Sequence, residues 1–483
     1  MTAATTKRFL KDYPEALIGG VGGVFVGAGV SMGAGYPSWS TLLTEVGEEL
    51  GVKSGELHDL AALAQWSIQE NGSATRVRNV IKEQIGVEHP VPATLEILAR
   101  LPVKFIWTTN YDRLVERAFG AVNRPIDSVS GAADLALRAT PGAARLFKMH
   151  GSVERLDDVV ISTDDYELYR STRGAFLPLL QAHLSSMSML FLGISFTDPN
   201  IRHVLSLIRE SFTKAPPEHF AIVRPPQRED YATEAEFEAR TTQHRLWSRD
   251  LKRYGLVVVE IDDYSEVPEL LRQVERRVAS RRVWVSGSWP PEAGAEIASI
   301  YSVSQAIGQL VGDTGRDLVS GAGLVVGSAS IAGFLDALRS GGGWDLERRL
   351  VARPFPQPIP GEAPDRAQWV ALRAELARIA GVVIFIGGMK IDPDTSAPIV
   401  AGGVLDELKA ARAADAFVIP IGSTGGAAAR IADDLIGSDV ETAGKNAARP
   451  TDDELKELAR ADISVGEIVK LVSAILARID KRA

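Results

Sequence analysis

The stretch Val24-Phe25-Val26-Gly27-Ala28-Gly29-Val30-Ser31 joins a short β-branched and aromatic run to a Gly-x-Gly turn. Glycine has no Cβ and tolerates positive φ, so the backbone N–H groups of such a turn can approach a phosphate closely. In doubly wound sheets, dinucleotides bind at the first turn of this kind. The third glycine of the dinucleotide-binding spacing is absent, because position 32 is Met32. The turn alone therefore indicates either a nucleotide site or a plain tight turn.

The first 280 residues repeat this arrangement of an apolar strand followed by glycine or polar residues. Strands are predicted over 24–26, 103–109, 145–148, 189–193, 220–223 and 256–261. In open α/β sheets, ligands bind at the edge formed by the carboxyl ends of the strands. We therefore expect a doubly wound α/β domain with a ligand site at that edge.

The α/β pattern restarts after a helix predicted over 267–280. Strands that run into glycine-containing segments are predicted over 283–286, 317–320, 381–386 and 416–421. Four such junctions in one region are hard to explain by turns alone. We therefore divide the chain into residues 1–280 and 281–483, and we expect each part to be a Rossmann-like, doubly wound α/β domain.

The composition excludes several kinds of site and partner. The 483 residues contain no cysteine, which excludes disulfides, cysteine-ligated zinc and cysteine nucleophiles. A net charge of −9 argues against non-specific binding of nucleic acid, which needs a basic surface. The histidines show no metal-ligand spacing, so no metal is expected. The uncharged segment 16–35 is too rich in glycine for a membrane helix and no signal peptide is recognisable, so we expect a cytoplasmic protein.

Four motifs of the first domain occur together in a recognisable order. They are Gly-Ala-Gly-Val-Ser at 27–31, Thr-Thr-Asn-Tyr-Asp at 108–112, Lys-Met-His-Gly-Ser at 148–152 and Gly-Ile-Ser at 193–195. In order and character they resemble the NAD-binding fold of the sirtuins. The resemblance implies that the glycine loop holds the diphosphate of NAD and that the last motif approaches the adenosine. The residues concerned are Ala28, Gly29, Ser31 and Ser195.

The same resemblance assigns roles in the reaction to three polar residues. It implies that Asn110 contacts the nicotinamide ribose and a water, that Asp112 lies beside the carboxamide, and that His150 is the general base. Cleavage of the nicotinamide–ribose bond develops an oxocarbenium-like sugar, and a base that titrates near neutral pH can activate water or a ribose hydroxyl. The alternatives are a structural role for His150 and a helix-capping role for Asn110 or Asp112.

Other polar residues of the first domain are expected to have structural roles. Asp198 and Asn200 follow a predicted strand and precede a predicted helix, so we interpret them as caps or turn formers. We expect the remaining histidines at the surface, namely His58, His89, His183, His203, His219 and His244.

The absence of cysteine also bears on the choice between NAD-dependent reactions. Sirtuins that deacylate proteins usually carry a four-cysteine zinc module after the histidine motif, and this chain has no cysteine. The resemblance therefore favours an NAD+ glycohydrolase, which converts NAD+ to ADP-ribose and nicotinamide. Two alternatives stay open, a protein deacylase or ADP-ribosyltransferase, and an NAD-binding sensor without catalysis.

The second domain resembles the SLOG family of Rossmann-like nucleotide sensors. The motifs that carry this resemblance are Ser-Gly-Ser at 286–288, Gly-Ala-Gly at 321–323, Gly-Gly at 387–388, and Gly-Gly-Val-Leu-Asp-Glu at 402–407. The last motif is an altered form of the family's phosphate-binding run, which favours ligand binding over catalysis. The resemblance implies a nucleotide site made by Gly287, Ser288, Arg373, Gly388, Lys390, Gly403 and Glu407.

Two kinds of side chain in the second domain have alternative interpretations. Arg373 and Lys390 would supply positive charge for a diphosphate. Arg373 could instead lie on a solvated helix face. Trp289 and Trp344 are expected to pack in the core rather than to stack on an adenine.

A sirtuin-like domain followed by a SLOG domain is similar to the effectors of the Thoeris antiphage systems. The resemblance implies an NADase that is inactive until the SLOG domain binds a cyclic ADP-ribose isomer made by a partner enzyme with a TIR domain. It also implies a homotetramer or larger homo-oligomer, and a depletion of NAD that halts the infected cell. A ligand can activate in this way only through a difference in its affinity for two states of the protein.

Overall fold

The fold of the chain is given by a computed structural model. It describes residues 3–57, 59–196, 198–211, 218–291, 296–341, 346–356, 365–392, 394–437 and 448–482. The chain divides into two compact units, Met1–Glu275 and Arg276–Ala483. This division falls within the helix predicted over 267–280.

The first unit is built on a seven-stranded parallel sheet. Its strands are β1 (Gly22–Val26), β2 (Phe105–Thr108), β3 (Ile126–Val129), β4 (Ala144–Lys148), β5 (Ser188–Leu192), β6 (His219–Val223) and β7 (Leu256–Glu260). Their order in the sheet is β3-β4-β2-β1-β5-β6-β7. The chain goes from β1 to β2 on one side of β1, and later builds β5, β6 and β7 in succession on the other side. A crevice for ligands forms where the direction reverses, here between β1 and β5.

Fifteen α-helices of the first unit lie in the described residues. They are α1 (Ala3–Ile18), α2 (Ala28–Gly33), α3 (Trp39–Leu42), α4 (Thr44–Glu49), α5 (Leu60–Asn71), α6 (Thr75–Ile85), α7 (Ala93–Arg100), α8 (Leu114–Ala121), α9 (Ala132–Leu135), α10 (Thr163–Glu167), α11 (Tyr169–Thr172), α12 (Phe176–Ser186), α13 (Pro199–Ser211), α14 (Glu234–Leu251) and α15 (Glu266–Ser280), which ends in the second unit.

The register of the sheet brings four strand ends into one row. Val26 pairs with Thr108 on one side and with Leu192 on the other, and Thr108 pairs with Lys148. These are the last residues of β1, β2, β5 and β4, so the loops that follow them leave the sheet side by side. Every residue of β1 is buried, as expected for a parallel strand covered by helices on both faces.

The second unit contains a five-stranded parallel sheet and a small antiparallel pair. The parallel strands are β8 (Arg282–Ser288), β9 (Asp317–Ser320), β10 (Leu350–Ala352), β11 (Val382–Gly387) and β14 (Phe417–Ile421), in the order β10-β9-β8-β11-β14. The antiparallel strands are β12 (Met389–Ile391) and β13 (Pro398–Val400). The helices are α16 (Ile297–Asp313), α17 (Val326–Ser340), α18 (Leu346–Arg349), α19 (Arg366–Ile379), α20 (Gly402–Ala413), α21 (Gly426–Leu435), α22 (Asp452–Ala459) and α23 (Val465–Arg482).

The two parallel sheets with helices between successive strands confirm the α/β class predicted for both parts. Four strands were not predicted, namely β3, β10, β12 and β13. None of them has more than four residues, and their burial is partial, so they lack a continuous apolar run. No helix in the described part of the chain combines the length and apolarity that a membrane span requires.

The prediction that the remaining histidines lie at the surface is wrong for His219. This residue begins β6 and is fully buried, and its burial lowers the pKa to about 4. His183 is half-buried and accepts a hydrogen bond from Trp107 Nε1 at 3.0 Å. His58 lies outside the described residues.

Candidate functional site

The glycine loop after β1 packs directly on the loop after β5. The amide of Gly27 donates to Leu192 O at 2.8 Å, and the amide of Gly29 donates to Gly193 O at 3.0 Å. A Cβ on Gly27 or Gly29 would lie 2.4 Å or 2.9 Å from backbone atoms of Gly193, which has a φ of +66°. The glycines are therefore required by the contact between two loops. Ala28 is exposed at this crevice, and the binding of a diphosphate by Ala28 and Gly29 stays a prediction.

Three of the predicted site residues form one hydrogen-bonded network. The Asn110 side chain donates through Nδ2 to Gly27 O at 3.0 Å and to Ser31 Oγ at 2.8 Å. Ser31 Oγ donates to Asp112 Oδ2 at 2.6 Å. Asp112 Oδ1 accepts from the amide of Leu114 at 2.9 Å, at the start of α8. Asp112 thus fixes the turn that leads into α8 and is also a member of the network.

The side-chain carbonyl oxygen of Asn110 is unpaired. Its Oδ1 is buried and has no hydrogen-bond partner among the described residues. A buried acceptor without a partner costs about 1–3 kcal/mol, so it is expected where a ligand or water supplies the missing donor. The side chain is fixed through Nδ2, which leaves Oδ1 as the atom that can receive a hydroxyl or a water.

A buried lysine holds the loop that carries these residues. Lys148 is 1% exposed, and its Nζ donates to Asp112 O at 2.5 Å and to Glu116 Oε1 at 3.0 Å. The contacts tie the end of β4 to the loop after β2 and to α8. The sequence analysis included Lys148 in a motif without giving it a role. A lysine as the last residue of a buried strand is the signal that could have identified it.

His150 lies just beyond β4 and faces a carboxylate. The residue is 4% exposed, and its Nε2 is 3.1 Å from Asp198 Oδ2. The contact is at ion-pair distance without the alignment of a hydrogen bond. The rings of Tyr166 and Tyr169 pack edge-on against the imidazole, with centroids 5.5 Å and 6.5 Å away. His150 is therefore held between an acidic group and two aromatic rings.

Asp198 uses its two oxygens differently. Oδ1 accepts from the amides of Asn200 at 2.8 Å and Ile201 at 3.1 Å, which caps α13 as predicted. Oδ2 faces His150 and accepts from Tyr166 Oη at 3.3 Å. Burial alone would raise the pKa of Asp198, but the charge of His150 and the hydrogen bonds from these amides outweigh it, and the pKa lies below its ordinary value. Asp198 is therefore ionised at neutral pH, and its position beside His150 was missed.

A cavity of about 320 Å³ adjoins this pair. It is lined by Tyr166, Glu167, Arg170, Pro199, Asn200 and His203. The Nδ2 of Asn200 is buried and unpaired within the described ranges. Ser195, the last predicted residue of this unit, is exposed in the loop after β5. Across the described residues, no cluster of three or more His, Asp or Glu side chains is arranged to hold a metal ion.

The centre of the predicted site in the second unit is a buried acid. Ser286 Oγ, on β8, donates to Glu407 Oε2, on α20, at 2.5 Å. Burial raises the pKa of Glu407 to about 7, against the opposing effects of the Ser286 hydrogen bond and the charge of Arg373. Glu407 therefore titrates close to neutral pH.

Arg373 is buried beside this acid, so the interpretation of a solvated helix face is wrong. The residue is 8% exposed, and its guanidinium lies 5.3 Å from the ring centroid of Phe355 and 5.8 Å from that of Trp369. A Cβ on Gly403 would lie 3.0 Å from Nη2, so a side chain at position 403 would crowd the guanidinium. The Nε of Arg373 is buried and has no partner in the described part of the chain.

The structure brings the other predicted residues of this unit together in part. The amide of Gly388 donates to Ser288 O at 2.9 Å, which joins the ends of β8 and β11. Gly287 and Gly388 have φ values of +154° and +95°, and a Cβ would lie 1.9 Å from Ile386 O at the first and 2.6 Å from the Cβ of Ala427 at the second. Lys390, however, is exposed on β12. Trp289 packs in the core as expected, and Trp344 lies outside the described residues.

Two family models match the chain. The model of a SIR2-like domain matches residues 104–244. The model described as the Sir2- and TIR-associating SLOG family matches residues 266–479. The expected sirtuin-like and SLOG assignments of the two parts are thereby confirmed.

Curated relatives match over most of the chain. The protein named NAD(+) hydrolase ThsA from Bacillus cereus (strain MSX-D12) is 34% identical over 424 residues, which cover 86% of this chain and 87% of the relative. Proteins of the same name from Enterococcus faecium and Acinetobacter baumannii (strain 532279) are each 30% identical. The matches cover 97% of this chain and 99% of the first, and 94% of this chain and 94% of the second.

Proposed function

The chain belongs to the family of NAD(+) hydrolases named ThsA, and we propose that its hydrolysis of NAD+ takes place at the carboxyl edge of the seven-stranded sheet. The observation that carries this proposal is the pairing of buried His150 with ionised Asp198, beside the network of Ser31, Asn110 and Asp112. The base, the acid and the amide lie on the loops that follow β4, β5 and β2, at the same edge of the sheet.

The reaction breaks the bond between the nicotinamide nitrogen and C1′ of the ribose. Nicotinamide leaves as a neutral molecule with the bonding electron pair, and the sugar develops oxocarbenium character. As this bond breaks, a water bonds to C1′ and loses one proton to a base. The products are ADP-ribose, nicotinamide and that proton. The protein must hold the ribose, place the water and accept the proton.

The residues present match these tasks. Asn110 Oδ1 is an unpaired buried acceptor that can receive a hydrogen bond from the water or a ribose hydroxyl. His150 accepts the proton of the water, and the charge of Asp198 stabilises the imidazolium that results. Asp112, held by Ser31, receives the carboxamide of nicotinamide. Ala28, Gly29 and Ser195 bind the diphosphate and adenosine ends of the dinucleotide.

The second unit regulates this activity by binding a cyclic ADP-ribose isomer. The support for this is the site around Ser286, Arg373 and Glu407, where a buried guanidinium with an unpaired Nε lies by a carboxyl group that titrates near neutral pH. A diphosphate is a suitable partner for the guanidinium fork, and a ribose hydroxyl for the carboxyl group. Gly287, Ser288, Gly388, Lys390 and Gly403 complete the site.

The biological setting that we propose is the one implied by the resemblance to the Thoeris effectors. The activator is the product of a partner enzyme with a TIR domain, and the hydrolase acts in the cytoplasm as a homotetramer or larger homo-oligomer. Activation depletes NAD+ and stops the growth of a phage-infected cell. In this setting the activator must bind the active state more tightly than the resting state.

The catalytic assignment is tested by measuring release of nicotinamide from NAD+. We expect His150→Ala and Asn110→Ala to lower turnover by at least about 100-fold, the usual contribution of a positioned acid–base group. His244→Ala is the matched control, because His244 Nε2 also lies 3.1 Å from a carboxylate, Glu260, away from the proposed site. Full turnover in His150→Ala or Asn110→Ala would refute the assignment. Binding of NAD+ without any turnover by the unaltered protein would support the sensor alternative.

The regulatory assignment is tested by adding individual cyclic ADP-ribose isomers to the unaltered protein and to Arg373→Ala and Lys390→Ala. We expect one isomer to activate the unaltered protein and neither variant. Arg378→Ala, an exposed arginine on the same helix as Arg373, is the control. A normal response in Arg373→Ala would refute the site in the second unit, while leaving the catalytic assignment intact.

A further inference from the structure

The carboxylate of Asp198 does more than a helix cap requires. A cap needs one oxygen that accepts from the first amides of the helix, and serine or asparagine would supply it equally well. Oδ1 fills that role toward Asn200 and Ile201. Oδ2 is directed away from the helix, to His150 Nε2 at 3.1 Å and Tyr166 Oη at 3.3 Å. The second oxygen therefore needs a separate explanation.

We propose that Asp198 is the positioning residue of His150, and that its Oδ2 holds Nε2 so that Nδ1 is the nitrogen that accepts the proton of the attacking water. The proposal rests on the assignment of His150 as the base in the proposed function. Tyr166 supports it by donating to the same oxygen, and the edge-on rings of Tyr166 and Tyr169 restrict the imidazole plane. Asp198 itself does not touch the substrate.

The proton moves through this arrangement in one balanced step. The water oxygen forms its bond to C1′ as the nicotinamide nitrogen departs with the electron pair. One water proton moves to Nδ1 of His150, which becomes an imidazolium with its Nε2–H beside the negative charge of Oδ2. Asp198 stays ionised throughout, and the imidazolium later returns the proton to solvent. A carboxylate that stabilises an imidazolium without accepting its proton is an established arrangement in acyl transfer.

Among the described residues that contact the imidazole, Asp198 is the one that carries negative charge. Tyr166 on α10 and Tyr169 on α11 are the neighbouring titratable side chains, and burial raises the pKa of both phenols, so both are neutral. The charge of Arg173 acts on Tyr169 and Tyr111. Removal of the Asp198 charge should therefore directly weaken the stabilisation of a His150 imidazolium.

The decisive variant is Asp198→Asn. Its amide oxygen can still cap α13, while an uncharged NH₂ group replaces Oδ2 beside His150. We expect kcat to fall by about 100-fold or more and KM for NAD+ to change by less than about threefold. We also expect the acid limb of the kcat/KM profile to move to lower pH, because no negative charge favours the imidazolium. The thermal midpoint should stay within about 2 °C, because the cap is kept.

Two further variants separate positioning from structure. Asp59→Asn is the matched control, because Asp59 caps α5 by accepting from the amide of Ala62 at 3.0 Å and is exposed. It should leave kcat and the pH profile unchanged. Tyr166→Phe removes a single, long hydrogen bond to Oδ2 and should lower kcat by roughly 3- to 10-fold, in line with the net strength of an ordinary hydrogen bond.

The outcomes distinguish this inference from the proposed function. An Asp198→Asn protein with the kcat and pH profile of the unaltered protein would overturn the inference, as would a lowered kcat with an unmoved acid limb. In either case, the catalytic assignment of His150 would still hold if the His150→Ala protein were inactive. Turnover by His150→Ala would overturn both.

Discussion

Asp198 in the first unit and Glu407 in the second are carboxyl groups buried near the carboxyl ends of two parallel sheets, yet their pKa values move in opposite directions. For Asp198, the charge of His150 and the hydrogen bonds to α13 outweigh the effect of burial, and the pKa lies below its ordinary value. For Glu407, burial dominates over one hydrogen bond from Ser286 and the charge of Arg373, and the pKa rises to about 7.

The difference shows that the neighbours of a buried acid, rather than its burial, decide whether it is charged. The imidazole and the amides near Asp198 are supplied by the fold itself, so both groups are in place before substrate arrives. At Glu407 the hydrogen bond from Ser286 and the charge of Arg373 do not outweigh burial, and the Nε of Arg373 is unpaired among the described residues. A preorganised pair suits a catalyst, and an incompletely satisfied one suits a receptor that a ligand completes.

The two acids also have opposite effects on stability as a function of pH. Because the pKa of Asp198 is lower in the folded chain than in the unfolded chain, its contribution is present above about pH 4 and is lost as the pH falls further. Because the pKa of Glu407 is higher in the folded chain, its contribution is present below about pH 4.5 and is lost as the pH rises toward 7.

The largest effect is expected where the first unit loses one of its buried charges. Lys148→Met leaves Glu116 without its cation, and breaking a buried ion pair costs about 3–5 kcal/mol. For a unit of this size the thermal midpoint should fall by roughly 10 °C. Differential scanning calorimetry measures the change.

Two controls test whether the loss of stability comes from the unpaired buried charge. Lys148→Met combined with Glu116→Gln should recover part of the loss, because no unpaired buried charge remains. Lys53→Met breaks a solvent-exposed pair with Glu56 and should change stability by less than about 1 kcal/mol. A Lys148→Met protein as stable as Lys53→Met would contradict the view that the first unit depends on compensated buried charge.

The next effect is expected in the second unit, where Glu407→Gln removes the titrating acid. The unaltered unit should lose about 3 kcal/mol of stability between pH 4.5 and pH 8, because it must then hold a buried charge. The glutamine can still accept from Ser286 but does not titrate, so this loss should disappear. Amide hydrogen exchange of β11 at several pH values measures local stability in this unit. Parallel pH dependence in the two proteins would show that Glu407 is not the titrating group.

Sequence analysis located the strand ends but not the contacts between them. The apolar runs before Gly27, Asn110 and His150 identified the strands and placed these residues at one edge of the sheet. The partnership of His150 with Asp198 was not predicted, because the two lie 48 positions apart and Asp198 had a sufficient local role as a cap. Local capping patterns are visible in a sequence, and a second role through space is not.

The same limit explains two other results. The burial of His219 follows from the position of β6 between β5 and β7, which depends on the order of strands rather than on their residues. The two interpretations of Arg373 could not be separated, because an arginine at helical spacing is typical of a solvated face. Its burial depends on Gly403 and the ring of Phe355, which come from other segments, and on the ring of Trp369 one turn earlier in the same helix.

The smallest expected effect tests the link between Arg373 and Glu407. The charge of Arg373 lowers the pKa of Glu407 against the effect of burial, so Arg373→Gln should move the pH-dependent loss of stability to pH values above 7. The shift corresponds to about 1 kcal/mol or less. Arg373→Lys keeps the charge but loses the planar group that stacks on Phe355 and Trp369, so it should lower overall stability without moving the pH dependence. If hydrogen exchange of β11 shows the same pH dependence for Gln and Lys, packing rather than charge connects Arg373 to the acid, and the contrast between the two buried carboxylates would rest on Ser286 alone.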